Sequence, residues 1–275
     1  MVVRDVTVGA GRGGLRTAVS FVGARSLAVV VVLSVWQLLY LSGWKPSFVL
    51  PGPVEVMTNL LRQLGDPLLW EAIVTTMGRA ITGFGLAVLI GSTVGAVLSQ
   101  STLLRNAFGP IITGLQTMPA IAWFPFAIIF FGLHNSAILF VIVIGAAPSV
   151  AVAVVSGAQQ ISPVLLRAAH NMGLRRVALY RHVILPASLP TFVSGLRQAW
   201  AFAWRSLMAG ELVVLVTGTS SIGVLLENAQ NLSDMPAAMA MMIVILVIGI
   251  VVDAVFGFAD RRIRLRWGLI DTGRP

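Results

Sequence analysis

The sequence predicts an all-α protein that crosses a lipid bilayer about six times. Of its 275 residues, 57% are hydrophobic and only 11% are charged, and the mean hydropathy is +0.92. A soluble domain carries about 25% charged residues, so this composition does not supply a water-facing surface. Apolar runs of about 18 residues or more recur along the chain, and each is long enough to cross ~30 Å of hydrocarbon as a helix.

The six predicted spans are residues 26–43, 79–99, 110–132, 135–156, 190–216 and 236–258. The first run follows four arginines, but it is too long for the apolar region of a signal peptide and leads into SGWKPSF, so we expect an uncleaved anchor. A short amphipathic helix around residues 54–64 is expected to lie at the membrane interface. The predicted parts are a basic segment 1–25, a transmembrane domain 26–258 with a loop at about 157–189, and a basic tail 259–275.

The basic residues predict the orientation of these spans, because Lys and Arg are enriched in cytoplasmic loops. With the N-terminus inside, the external segments hold only Lys45, Arg62 and Arg79, and Arg197 and Arg205 lie within the fifth span. The other 14 of the 19 basic residues fall in cytoplasmic segments: Arg4, Arg12, Arg16, Arg25, Arg105, Arg167, Arg175, Arg176, Arg181, Arg261, Arg262, Arg264, Arg266 and Arg274. Both termini are therefore predicted to be cytoplasmic. The net charge of +9 is assigned to the membrane surface, not to nucleic acid.

The residues that several kinds of chemistry require are missing from this chain. There is no Cys, and the only Lys is Lys45, so the phosphate-binding loop of an ATPase is absent. The three histidines, His134, His170 and His182, do not have the spacing of metal ligands. Of the 10 acidic residues, only Glu211 and Asp253 fall within predicted spans. We therefore expect no catalytic residue, no metal and no cofactor in this chain.

The segment LLRAAHNMGLRRVALYRHVILPASLP, residues 165–190, is the most basic internal stretch. Ser162 and Pro163 have the residue types of a helix N-cap and first turn, and Gly173 suits a left-handed C-cap. A second helix is expected from residue 174 to about 182, ending at Leu185 and Pro186. The small side chains of Ala168 and Ala169 would let another protein surface approach closely. A solvated loop that follows the positive-inside rule would explain the arginines but not the Ala-Ala, Gly and Leu-Pro spacing.

This loop resembles the EAA loop of type I ABC importer permeases, in which E-A-A is followed by three residues, Gly, nine residues and I-x-L-P. Arg167, Ala168 and Ala169 occupy the first three places, Gly173 follows at the same spacing, and residues 183–186 close the motif. Arg167 replaces the Glu and Val183 replaces the Ile. The stretches FVLPGPVEV, MPAIAWFPFAIIFFG and GLRQAWAFAWRSLMAGEL resemble the branch for nitrate, taurine, alkanesulfonates and bicarbonate. TGTSSIG, near residue 220, departs from the Gly-Leu-Gly common in that branch.

The resemblance implies a permease subunit of the bacterial plasma (inner) membrane, paired with a second copy as a homodimer. Two ATPase subunits would bind ATP and Mg, and an external binding protein, periplasmic or lipid-anchored, would deliver a small anion. The implied ATPase-coupling residues are Arg167, Ala168, Ala169, Gly173, Leu185 and Pro186. The alternative is a self-sufficient channel or secondary carrier. Such carriers usually have repeated halves and embedded charge relays, which this sequence does not display.

Polar residues in the fifth span are candidates for the translocation path. Arg205 falls near mid-span, where a charge costs about 2.5–3.5 kcal/mol on insertion scales. Glu211 lies about 120° away around the helix, so the two do not pair easily. Either both line the path, or each finds a partner on a neighbouring helix or on the second copy. One helical stripe is predicted to carry Arg197, Trp200, Trp204, Met208 and Glu211.

Two prolines are expected to bend or break the third span, Pro119 and Pro125. Irregular backbone inside a membrane is tolerated where it is buried in protein or lines a water-filled cavity. Met118, Pro119 and Trp123 are therefore candidates for a gate. Ordinary packing of a kinked helix is the alternative.

Overall fold

The computed structural model describes residues 13–216 and 218–266, and every regular element within those residues is helical. Arg4, Arg12 and Arg274, which the orientation prediction counts as cytoplasmic, lie outside the described residues. The α-helices are α1 (Gly13–Leu41), α2 (Pro53–Leu64), α3 (Pro67–Ser99), α4 (Thr102–Thr117), α5 (Phe124–Phe131), α6 (Asn135–Gln159), α7 (Pro163–Asn171), α8 (Arg176–Leu179), α9 (Leu185–Val213), α10 (Ile222–Asn231) and α11 (Met235–Arg266). A 3-10 turn, Ala120–Trp123, precedes α5, and a π-helical segment, Tyr180–Ile184, joins α8 to α9.

A helix occupies the place of each predicted span, so the chain is an all-α membrane protein. Within the described residues, three helices are long and apolar enough to cross a bilayer unaided: Pro67–Ser99, Asn135–Gln159 and Met235–Leu265. The pair Thr102–Thr117 and Ala120–Phe131 is long and apolar enough only when taken together, and its bend of 102° fits either a broken span or a re-entrant loop. The apolar part of α1, Ser26–Leu41, is shorter, and α9, which contains Arg197, Arg205 and Glu211, is not among these helices.

The second span begins earlier than predicted, at Pro67 instead of residue 79. Asp66 caps the helix, since its side chain accepts a hydrogen bond from the Leu68 amide at 2.9 Å, and Pro67 stands in the first turn. The GDP sequence therefore starts a helix and is not a turn in an external loop. As a consequence, Arg79 is inside α3 and buried, and it is not an external topology signal.

The third span is broken where the prolines were expected to act. Met118 is extended, with φ −69° and ψ 134°, as the residue before a proline prefers, and α4 ends at Thr117. The predicted single span 110–132 is therefore two helices that begin earlier, at Thr102, and meet at an angle. Pro125 causes no break, because it falls in the first turn of α5, where a missing amide hydrogen is tolerated.

The centre of the molecule is the packing of α6 against α3 on one side and α9 on the other. Small residues allow α3 to approach α6 closely: a Cβ on Gly91 would stand 2.5 Å from the Ala147 carbonyl oxygen, and one on Gly95 would stand 2.7 Å from that of Ala151. Spacing small residues by four is a common way to join membrane helices. Ile138, Val141, Ile142, Leu207 and Trp200 fill the core between these helices.

Candidate functional site

The loop between α6 and α9 contains the surface helix α7. It begins at Pro163 and ends in a left-handed glycine, Gly173, whose φ is +83°. The Leu174 amide donates to the Ala169 carbonyl at 3.0 Å and the Gly173 amide to that of His170 at 2.9 Å, which is the Schellman arrangement. The predicted helix end is therefore confirmed. Ser162 occupies the N-cap position, but its side chain makes no capping hydrogen bond.

The two alanines of the motif lie in different environments. Ala168 is exposed together with Arg167, whereas Ala169 is fully buried within the chain. Ala169 therefore does not present a side chain to a partner, which corrects the expectation that both alanines form one docking face. Adjacent helical residues differ by about 100° in direction, so one of the pair faces inward.

A stripe of exposed residues lies on the outer side of α7. Val164 is 68% exposed and Met172 is 73% exposed, and with exposed Ala168 they follow at steps of four residues. Residues four apart lie on one face of a helix. The exposed apolar face of α7 is therefore the stripe of Val164, Ala168 and Met172, which we call the α7 stripe.

The chain stays helical after α8, which differs from the predicted stop at Leu185 and Pro186. The π-helical segment ends at Ile184, and α9 continues from Leu185 with Pro186 in its first turn. A proline nitrogen cannot donate to the preceding turn, and a locally widened helix is one way to accommodate this. Leu185 is 61% exposed and Pro186 is half-buried, so these residues join the loop to the fifth membrane helix.

A buried charge cluster surrounds Glu211, which has no exposed surface. Arg79 of α3, only 7% exposed, pairs with its carboxylate at 2.8 Å. The Thr76 hydroxyl donates to the same carboxylate at 2.9 Å, and the Gly223 amide at the start of α10 donates to it at 3.1 Å. A buried carboxylate is stable when opposite charge and hydrogen bonds replace its hydration, and here both are present.

Arg79 extends the cluster to two further segments. Its Nε donates to the Asn135 side chain at the start of α6 at 2.9 Å, and its second terminal nitrogen donates to the Thr219 hydroxyl at 3.1 Å. The cluster therefore ties α3, α6 and α9 to the segment before α10. Gly223 has room for no side chain, because an added Cβ would overlap that of Glu211.

These contacts neutralise the charge of Glu211 and supply its hydrogen bonds in this conformation. It has partners on neighbouring helices, which was one of the two alternatives, and it faces no open cavity. Its place among the candidates for the translocation path stays a prediction. The sequence analysis also missed Thr76, Arg79, Asn135, Thr219 and Gly223 as members of the cluster. The signal in the sequence was Glu211, a carboxylate in the fifth span that does not pair easily with an arginine of its own helix.

The other charged residues of α9 behave differently from Glu211. Arg205 is exposed, its Nε donates to the Ala201 carbonyl at 3.2 Å, and its guanidinium lies 5.2 Å from the centre of the Phe202 ring. In the described part of the chain, Arg205 has no carboxylate partner. Arg197 pairs with Asp253 of α11, since its Nε and one of its terminal nitrogens donate to the two carboxylate oxygens.

The gate candidates lie together in the break between α4 and α5. Met118 is 45% exposed, Pro119 is exposed, and Trp123 is half-buried with its ring 6.1 Å from that of Phe126. Their backbone is the extended and 3-10 stretch that follows α4. No group of three His, Asp or Glu side chains able to hold a metal ion occurs in the part of the chain that the structure describes.

Bent and long apolar helices around a helical core, with a surface helix between the fourth and fifth spans, define a multi-pass membrane protein. Residues 83–265 match the family described as binding-protein-dependent transport system inner membrane component. The chain belongs to this family.

Curated relatives support the same assignment. A probable ABC transporter permease protein of Brucella melitensis is 29% identical over 241 residues, covering 88% of this chain and 96% of the relative. The taurine transport system permease protein of Escherichia coli is 27% identical, covering 86% of both chains. A nitrate import permease protein of Leptolyngbya laminosa is 27% identical and again covers 86% of both chains. The predicted branch of permeases is therefore confirmed.

Solved structures share the fold. The MetNI methionine ABC transporter, in inward-facing conformations, matches with a TM-score of 0.61 at 19% identity, covering 71% of this chain and 96% of the matched chain. At this level of identity the similarity establishes the fold of the permease and does not bear on the solute.

Proposed function

We propose that this chain forms the translocation path for a small anion, of the nitrate, taurine, sulfonate or bicarbonate type, in an ATP-driven importer of the bacterial plasma (inner) membrane. The relatives named for taurine and nitrate support the solute class. So does Arg205, a cation without a carboxylate partner in the described residues. The family is described by its dependence on a binding protein, so a self-sufficient channel or carrier is not retained.

The proposed complex contains two copies of this chain, two ATPase subunits that bind ATP and Mg, and an external binding protein that delivers the anion. In this scheme the chain contributes no catalytic residue of its own, and both termini are cytoplasmic. The basic loop that contains α7 would then face the ATPase. Proteins of this kind separate ATP hydrolysis from the membrane path, so they need a rigid contact that transmits movement between subunits.

The observation that carries the proposal is the α7 stripe, which lies on a helix whose C-terminal end is set by Gly173. Burying an exposed Val or Met side chain contributes about 1.5–3 kcal/mol, so Val164 and Met172 provide anchors on either side of the small Ala168. Arg167 and Arg175 are exposed beside the stripe and can meet acidic groups. Gly173 sets the direction in which the chain returns to the membrane, and Ala169 packs inside to hold α7 in place.

The path itself is proposed to pass Arg205 and the break between α4 and α5. An unneutralised guanidinium attracts an anion more strongly where the dielectric constant is low. The break at Met118, Pro119 and Trp123 offers irregular backbone of the kind that lines cavities in membrane proteins. We therefore assign these residues to the gate and Arg205 to the attraction of the solute.

The test of the docking proposal is Ala168→Trp in the permease co-expressed with its ATPase. A Trp overfills a close-packed groove, and such overfilling typically weakens the contact by about 1–3 kcal/mol. We expect weak ATPase co-purification and no uptake, with normal insertion by protease protection. His170→Trp is the matched control, because His170 is exposed on the same helix but points about 200° away from Ala168.

Two further outcomes complete this test. Gly173→Val should uncouple the complex as well, since a left-handed backbone costs a residue with a Cβ about 1–2 kcal/mol. If Ala168→Trp retains wild-type ATPase binding and wild-type uptake, the α7 stripe is not the docking surface and the proposal fails.

A further inference from the structure

A groove runs along α4 where this helix faces α3 and α6. Its inner part is a cavity of about 250 Å³ with apolar lining from all three helices, including Val94, Leu115 and Phe140. Its outer part, about 200 Å³, has a polar lining that includes Arg105, Ser156 and Gln159. Ile112 and Ala151 line both parts, so the two cavities form one continuous groove.

Helix α4 contributes no buried residue within this chain, so its side of the groove is open. Its polar part lies at the ends of two helices: Gln159 is the last residue of α6, and Arg105 is in the first turn of α4. Because α6 is long and apolar enough to cross the bilayer, its last residue lies near the headgroup region. The apolar part of the groove therefore lies at the depth of the acyl chains.

Arg105 is the charged residue of the groove. Its guanidinium donates to the Thr102 hydroxyl at 3.4 Å, and it has no carboxylate partner among the described residues. Arg79, Arg197 and Arg264, by contrast, each have one. Arg105 is a half-buried cation with neighbouring hydroxyl and amide groups, which suits the binding of a phosphate. The adjoining apolar part of the groove suits the binding of a hydrocarbon chain.

We propose that this groove binds one anionic phospholipid of the bilayer, with its phosphate on Arg105 and an acyl chain along Ile112 and Leu115. A helix of a second copy fits less well. Ser26–Leu41 is an apolar helix that is largely exposed in its own chain and could pack against a second copy, but it contains no Asp or Glu to neutralise Arg105. An anionic lipid supplies both the hydrocarbon and the negative charge.

The test is lipid retention by the purified permease–ATPase complex, measured by native mass spectrometry during titration with phosphatidylglycerol or phosphatidylcholine. Wild type is expected to bind phosphatidylglycerol in preference to phosphatidylcholine. Arg105→Gln should weaken phosphatidylglycerol binding about fivefold, the value of one basic residue at an anionic surface. Phosphatidylcholine binding should fall less, because its choline group already offsets the charge of its phosphate.

Two glycines of α4 supply a matched pair of variants. Gly109 lines the outer part of the groove, and an added Cβ there meets no atom within 4 Å, so Gly109→Leu is expected to place its side chain in the groove. Gly114 is equally open but lines neither cavity. Gly109→Leu should reduce the binding of both lipids, and Gly114→Leu should bind them as wild type does.

Three results would overturn the proposal. The first is wild-type phosphatidylglycerol binding in both Arg105→Gln and Gly109→Leu. The second is displacement of the bound lipid by millimolar sn-glycerol 3-phosphate, which would identify a site for a small soluble phosphate. The third is a Gly109→Leu variant that retains its lipid but no longer dimerises, which would assign the groove to the second copy.

Discussion

Glutamine at position 211 tests whether the buried charge cluster holds the helices together or serves the solute. The change Glu211→Gln keeps the size of the side chain and removes its charge. Its amide oxygen can still accept a hydrogen bond from Thr76 or Gly223. What is lost is the countercharge of Arg79, which remains buried at 7% exposure with only Asn135 and Thr219 as neutral partners.

The expected loss of stability follows from that stranded charge. Removing one partner of a buried ion pair typically costs about 3–5 kcal/mol, because the other ion keeps its desolvation penalty. Since two neutral acceptors remain on Arg79, we expect a value at the lower end, about 3 kcal/mol. Glu55→Gln makes the same chemical change at an exposed residue of α2 and should stay within about 0.5 kcal/mol of wild type.

Adding a second substitution distinguishes the effect of the lost charge on stability from the effect of the changed side-chain shape. In Arg79→Met combined with Glu211→Gln, no ion is left without its partner. Replacing both members of a buried pair is often close to neutral, so the double variant should be more stable than Glu211→Gln alone. A coupling energy of about 0.5–3 kcal/mol between the two positions is expected for side chains in direct contact.

The assay is unfolding of the purified permease in mixed micelles, followed by tryptophan fluorescence, together with uptake measurements on the same variants. Our reasoning requires Glu211→Gln to be clearly less stable than Glu55→Gln. Wild-type stability of Glu211→Gln, accompanied by loss of uptake, would refute it. That result would favour a place for Glu211 in the translocation path.

Three other predictions follow from particular contacts. Gly223→Ala should destabilise the fold by about 1–3 kcal/mol, because its Cβ overlaps Glu211, whereas Gly78→Ala, with no atom within 4 Å, should be at least as stable as wild type in the same unfolding assay. Arg205→Ala should lower uptake while the complex still co-purifies, and failure to insert or dimerise would instead make this residue structural. In this Cys-free chain, His170→Cys should react with an impermeant thiol reagent only in inverted vesicles, and labelling of intact cells would reverse the orientation.

The features that the sequence predicts well are local ones. Hydropathy over about 20 residues locates a membrane helix without knowledge of its neighbours, and a helix occupies each of the six expected places. The end of α7 is equally local, since Gly173 is the residue best suited to a left-handed backbone. Asp66 and Pro67 are also a local signal for the start of α3. Hydropathy does not detect this start, because Glu71 and Arg79 lower the mean hydropathy of that stretch.

The buried cluster depends on positions that are far apart in the chain. Arg79 and Glu211 are 132 residues apart, and Thr76 and Ile222 are 146 residues apart. Hydrophobic periodicity describes one helix at a time and does not tell which helices are neighbours. A single sequence therefore shows that Glu211 needs a partner, and only the packing of α3 against α9 identifies Arg79.

The alanine pair shows the same limit at the scale of one helical turn. Ala168 and Ala169 are chemically identical, and the motif alone gives no reason to separate them. The four-residue step from Val164 to Met172 defines a face that contains Ala168, but the step alone does not tell whether that face is outside or inside. The burial of Ala169 shows that the face with Ala168 is the outer one, so the docking test uses Ala168.

Helix α9 connects the two sites. It begins at Leu185, directly after the loop that contains α7, and it carries Glu211 near its last residue, Val213. Its 29 residues span about 43 Å, so one continuous helix runs from the proposed docking surface to the buried cluster. The cluster fixes the far end of this helix to α3 and α10, so we expect displacement of the loop to move α9 as a rigid rod. Without Glu211, the far end would be free to yield and would absorb that movement.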